Sequence, residues 1–114
     1  MEVEIETLGQ QFIRLGLERD VEILDVACGT GVVGRELREA GYSNVDGLDP
    51  SQGYLNGAMA KGIFRKVFRA YIDPDIPTEI PDNTYDALLC CAGFFQVKNL
   101  SLIVEKFNVF FVRA

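Results

Sequence analysis

The feature that most constrains this chain is a short apolar run, Val21–Val26 (VEILDV), that breaks at once into a glycine-rich turn, Gly29-Thr30-Gly31. Residues Gly31–Ala40 then take a helical pattern, with Val33, Leu37 and Ala40 on one face and Gly41 as the stop. A strand that turns directly into a helix is the unit from which parallel sheets are built, because parallel neighbours need a crossover between them. The unit repeats. Val45–Leu48 reads as a second short strand, and Asp49-Pro50-Ser51 opens a helix, since proline suits the first turn and Asp or Ser can cap it. That helix is expected to run to about Lys61, bury Leu55 and Met59, and stop at Gly62. Val67–Ile72 reads as a third strand, and Pro74, Pro77 and Pro81 then demand a loop. Tyr85–Ala92 (YDALLCCA) is apolar almost throughout, as in a strand buried on both sheet faces. Upstream, residues 1–20 fit an amphipathic helix through Leu8, Phe12 and Leu15. The alternation implies a doubly wound α/β layer with a parallel sheet.

Composition narrows the class of function. The 114 residues suffice for one domain. A net charge of -6 and a pI near 4.5 leave no basic footprint for nucleic acid or an anionic membrane. No apolar run approaches the ~20 residues that span a bilayer, and the opening MEVEIETLGQQF lacks the pattern of a secretory leader. The chain has no histidine, the commonest general base and zinc ligand. Its three cysteines, Cys28, Cys90 and Cys91, lie in apolar stretches without metal-ligand spacing and read as small core residues. A reducing, cytoplasmic setting is expected.

The chemistry concentrates in Asp25-Val26-Ala27-Cys28-Gly29-Thr30-Gly31-Val32-Val33-Gly34. In a doubly wound sheet a ligand lies beyond the carboxyl ends of the strands, where strand order reverses. Glycines there let the backbone approach a ligand with no Cβ in the way, and Gly34 would let the helix pack closely. Asp49, at the end of the second strand, can accept hydrogen bonds from both ribose hydroxyls of an adenosine. Spacing alone leaves two ligands equally open, because GTGVVG with a later acid also satisfies the dinucleotide fingerprint. Asp25 breaks the tie. An acid at the end of the first strand repels a pyrophosphate, whereas S-adenosylmethionine has no phosphate and carries an ammonium and a sulfonium.

With these residues in view, ILDVACGTGVVG resembles motif I of class I S-adenosylmethionine-dependent methyltransferases, with Ala27 in place of the usual first glycine. DGLDPSQGYL resembles the segment after it, and IPDNTYDALLCC the fourth-strand motif. As a set, the three are most similar to the methyltransferase-like proteins of the Williams–Beuren syndrome chromosome region, over about residues 20–95. The resemblance implies a Rossmann-like α/β/α domain of three layers with a partial sheet in the order 3-2-1-4. It implies S-adenosyl-L-methionine as cofactor, with Asp25, Ala27, Cys28, Gly29 and Gly31 around its methionine part. Asp49 would hold the ribose, with Pro50 and Ser51 alongside, and Asp73 is a candidate near the adenine. No catalytic residue can be named.

The departures shape the remaining expectations. The family's sheet has seven strands and only four are readable here, so the chain is expected to be one truncated domain, with a core at 20–95 and a divergent tail at 96–114. The tail KNLSLIVEKFNVFFVRA is expected to pack Leu100–Phe111 as a helix on the sheet, with pairing of Asn108–Val112 as a fifth strand the alternative. Without a fifth strand, the apolar fourth strand would expose an edge prone to self-association. The functional expectation is the cofactor-binding half of a methyltransferase, acting on an unknown acceptor. The alternatives are a non-catalytic module that binds cofactor or another chain, and an NAD-binding domain, which Asp25 disfavours.

Overall fold

A computed structural model describes residues 8–26, 28–70, 84–90 and 110–113. The elements are α1 (Leu8–Arg14), β1 (Ile23–Val26), α2 (Val32–Glu39), β2 (Val45–Asp49), α3 (Gln52–Ala60), β3 (Val67–Arg69), β4 (Ala87–Cys90) and β5 (Phe110–Arg113). The strands form one sheet in the order β3-β2-β1-β4-β5, and every neighbouring pair is parallel. The expected 3-2-1-4 arrangement is therefore present, with a fifth strand beside it. Strand order reverses between β1 and β4, which puts the crevice favoured by ligands at the carboxyl ends of those strands.

The three helices among the described residues stop in the same way. Each runs into a glycine in the left-handed region, Gly16, Gly41 or Gly62, with φ between 66° and 99°. In each case the glycine N–H and the one after it donate back to carbonyls of the last turn, as from Gly41 to Arg38 and from Tyr42 to Leu37. These paired bonds satisfy carbonyls that the helix would otherwise leave free.

The helices enclose one face of the sheet. Ile23, Val45, Ala87 and Leu89 point into a core shared with Phe12 of α1, Leu37 of α2, and Leu55 and Ala58 of α3. Tyr42 anchors the α1–α2 end, with no exposed surface, its hydroxyl donating to the Leu17 carbonyl and its ring edge-on to Phe12. Leu24, Val26, Leu48 and Leu88 on the opposite face are buried as well, as a parallel sheet requires. The second helical layer implied by the resemblance lies outside the described residues.

A charged cluster ties the amino ends of the strands together. Asp46, fully buried in β2, accepts both Nε and Nη2 of Arg65 at 3.0 Å and the Tyr85 hydroxyl at 2.7 Å. Arg65 also reaches Glu22 at 2.6 Å. The Arg65 guanidinium thus links the chain before β1 to β2, and Asp46 links β2 to the chain before β4.

Several expectations shift. The first helix ends at Arg14, and Leu15 is half exposed because Gly16 turns the chain away. In α3 the buried pair is Leu55 and Ala58, and Met59 is exposed at 42%. The tail differs most. Phe110 and Phe111, assigned to a helix, lie in β5, with Ala87 opposite Phe110 and Leu89 opposite Val112. Phe and Val favour strands over helices, and the backbone groups of β4 supply a template that a helix would leave unpaired. The rest of the expected tail helix, Leu100–Val109, lies outside the described residues.

Candidate functional site

The sheet's carboxyl end is organised around Asp49, the last residue of β2. One carboxylate oxygen accepts the Gly29 N–H and the other the Ser51 N–H, both at 2.9 Å. A single side chain thereby fixes the β1–α2 turn against the β2–α3 turn. Ser51, not Asp49, caps α3, its hydroxyl accepting the Tyr54 N–H at 3.3 Å. Asp49 is thus freed from capping while each of its oxygens keeps acceptor capacity. The neighbouring Pro50 carbonyl accepts Nε of Arg69 at 3.2 Å, so β3 helps hold the turn.

Asp25 lies on the same face of the sheet, its register partners being Gly47 on β2 and Leu89 on β4. It is 1% exposed, and neither carboxyl oxygen has a hydrogen-bond partner among the described residues. Burial, helped by the charge of Asp49, pushes its pKa up to about 8. A buried acid left without donors in an otherwise satisfied core is the arrangement expected of a functional group, not a structural one. Cys28 follows the same logic with another outcome. Burial, and then Asp25 and Asp49, push its thiol up to about 12, so it stays neutral and inert as a nucleophile.

The glycines divide the labour. Gly29, at φ 57°, has no described atom within 4 Å of where a Cβ would stand, and its N–H reaches Asp49. Gly31 and Gly34 also permit close packing against the interior. A Cβ on Gly31 would stand 2.8 Å from Ile63, and one on Gly34 2.6 Å from the Phe64 ring. Gly47, a mid-strand glycine passed over in the sequence, completes this cradle, with Cys28 Sγ at 2.9 Å and Phe64 at 3.0 Å from its notional Cβ. Its place inside a strand was the available signal, since such a glycine marks a close approach.

The structure thus brings Asp25, Cys28, Gly29, Gly31, Asp49, Pro50 and Ser51 to one end of the sheet. Ala27 and Asp73 lie outside the described residues. Alongside is a groove of about 80 Å³ lined by Thr30, Gly31, Val32, Arg35, Lys61 and Ile63. That volume is well short of the several hundred Å³ typical of a cofactor pocket.

The chain matches the methyltransferase domain family over residues 23–109. It is 42% identical over 67 residues to human methyltransferase-like protein 27, covering 59% of this chain and 27% of that protein. It is 31% identical over 81 residues to a ubiquinone biosynthesis O-methyltransferase of Rickettsia bellii, covering 71% of this chain and 33% of that protein. The chain thus spans about a quarter to a third of these relatives' length. An S-adenosylmethionine-dependent methyltransferase from Mesorhizobium loti superposes with a TM-score of 0.65 at 25% identity, over 86% of this chain and 47% of that one. The fold is also that of Synechocystis magnesium protoporphyrin IX methyltransferase, solved with bound SAM, with a TM-score of 0.64 at 17% identity, over 88% of this chain and 49% of that one. The residues present fit such a cofactor, because the buried Asp25 has no hydrogen-bond partner among the described residues and Asp49 has acceptor capacity beside Gly29. With 23–109 inside the family's match, the chain belongs to the methyltransferase domain family, as a class I, Rossmann-like domain.

Proposed function

We propose that this chain binds S-adenosylmethionine across the carboxyl ends of β1 and β2, as the cofactor-binding part of a methyltransferase. The observation that carries the reading is the pair of acids at the strand-order switch, Asp49 fixed by two backbone N–H groups and Asp25 buried with none. Asp49 accepts the two ribose hydroxyls. Asp25 faces the cationic methionine end, with Ala27, Cys28, Gly29 and Gly31 forming the wall there. Pro50 and Ser51 flank the ribose, and Asp73 is the candidate for a contact with the adenine. The bound cofactor supplies an electrophilic methyl on a sulfonium leaving group, so the protein's task is in-line positioning more than acid–base chemistry. The acceptor is a small-molecule or protein nucleophile, and the setting cytoplasmic, in keeping with a free Cys28 thiol. Any self-association through sheet edges would use β3 or β5, since β4 has a neighbour on each side.

A second reading is favoured by coverage. A chain spanning 27% to 33% of its curated relatives can bind cofactor without completing an acceptor pocket, and would then act as a non-catalytic module. Calorimetric titration with S-adenosylhomocysteine and with NAD tests the shared core of both readings. Binding of S-adenosylhomocysteine alone is expected, and binding of NAD alone would overturn them. Asp49→Ala is expected to weaken S-adenosylhomocysteine at least tenfold, because two charge-assisted bonds of ~1.5–3 kcal/mol each are removed. Unchanged affinity in a folded variant removes Asp49 from the site. Labelled methyl transfer by the isolated chain to any acceptor would eliminate the non-catalytic reading.

A further inference from the structure

Resting on that reading, we propose that Asp25 makes cofactor binding a proton exchange: its carboxyl is neutral until the ligand's α-ammonium arrives, and then gives its proton to solvent. The balance is simple. A carboxylic acid and an ammonium become a carboxylate–ammonium pair, and one proton passes to the buffer.

The geometry requires this. Asp25 is in the middle of a three-strand parallel array, between Gly47 and Leu89, and is 1% exposed. Neither of its oxygens meets a donor among the described residues. An ionised carboxyl so enclosed carries the full cost of desolvation, several kcal/mol, which proteins avoid by leaving such a group protonated. The titratable groups that face it make ionisation harder still. Asp49 at the end of β2 is an acid of the same sign, Cys28 in the following turn is a neutral thiol, and the partners on β2 and β4 carry no charge. No cation among the described residues bonds to it. A ligand that brings one therefore supplies what the fold omits, and the carboxyl ionises against it. Its resting pKa of about 8 places the exchange across neutral pH.

Calorimetry in two buffers of different ionisation enthalpy reads the exchange directly. S-adenosylhomocysteine, which carries the ammonium, is expected to release close to one proton per site near neutral pH. Its affinity should rise by up to about tenfold per pH unit up to the Asp25 pKa and level off above it. Methylthioadenosine keeps the nucleoside and thioether but lacks the amino acid, and is expected to bind with no proton released. Asp25→Asn is expected to bind S-adenosylhomocysteine more weakly, with no release and a flat pH profile. Binding of S-adenosylhomocysteine to the wild-type chain without proton release overturns the proposal while leaving the cofactor site intact. Equal release with methylthioadenosine also overturns it. No binding of either ligand overturns the functional reading and the proton exchange with it. The comparison of the two ligands needs no variant, so it stands even if Asp25→Asn fails to fold.

Discussion

Gly34 and Gly57 sit inside helices α2 and α3, and the same substitution should move stability in opposite directions at the two. In a helix interior, glycine to alanine is worth about 0.8–1 kcal/mol through backbone entropy alone. At Gly57 no described atom lies within 4 Å of the new Cβ, so Gly57→Ala should deliver that gain. At Gly34 the Cβ would stand 2.6 and 2.9 Å from two atoms of the Phe64 ring and 2.9 Å from Cγ2 of Ile63. Phe64 and Ile63 are both 4% exposed and belong to the core, so neither can swing into solvent. Overpacking of this kind costs roughly 1–3 kcal/mol, which exceeds the helix gain. Gly34→Ala should therefore destabilise by about 1 kcal/mol, and denaturant midpoints at constant m-value would separate the two variants by about 2 kcal/mol. Phe64→Leu should relieve the clash, so that a double-mutant cycle shows a coupling of about 1 kcal/mol between the two positions. Equal stabilisation by both alanines, or strict additivity in the cycle, would refute the view that Gly34 is kept for packing against Phe64.

Two further outcomes follow from the charged groups. Asp25 is raised from 3.8 to about 8 on folding, so between those limits the folded chain holds a proton the unfolded chain has lost, and stability falls as pH rises. Asp25→Asn should remove that dependence, its advantage growing by up to about 1.4 kcal/mol per pH unit across the window; parallel pH–stability curves for the two proteins would contradict it. Arg65→Met strands the buried Asp46 without its guanidinium and should cost about 2–3 kcal/mol, below the usual figure for a buried pair because Arg65 keeps 38% of its side chain in water. An unchanged unfolding midpoint would show that the cluster contributes nothing net.

What the sequence disclosed was what local chemistry settles. The VEILDV run, the glycine turn and the Asp-Pro-Ser helix start each carry their cause within a few residues, and β1, α2, β2 and α3 form where they indicate. Periodicity failed where a single residue overrode it. Leu15 continues the helical spacing of Phe12 but follows the last helical turn, and Met59 shares a stripe with Leu55 while the core takes Ala58 beside it. The tail was ambiguous for a tertiary reason. Phe110–Val112 satisfies a helical stripe as well as a strand, and only the neighbouring backbone of β4 decides between them. The interior neighbours of Gly31 and Gly34, Ile63 and Phe64, lie some thirty residues away and cannot be inferred from a turn.

The two acids at the switch point show how one scaffold assigns different tasks to the same functional group. Asp49 terminates a strand, where the chain is about to turn and backbone N–H groups have no ladder partners. Two of these, from Gly29 and Ser51, converge on it at 2.9 Å. Its geometry is set during folding, and a ligand that accepts this geometry does not have to order it. Asp25 is one residue short of the end of β1, so the backbone N–H groups around it are committed to the parallel ladders with β2 and β4. Among the described residues no donor meets its side chain, and the fold tolerates the deficit only while the carboxyl is neutral. A shift of a single residue relative to the strand end thus separates a preorganised acceptor from a group whose charge depends on what binds. Exchanging the pair, by Asp25→Asn with Asp49 intact or the reverse, should accordingly give distinct losses. The first should remove the pH dependence of ligand affinity, and the second should weaken affinity at every pH and loosen the two turns.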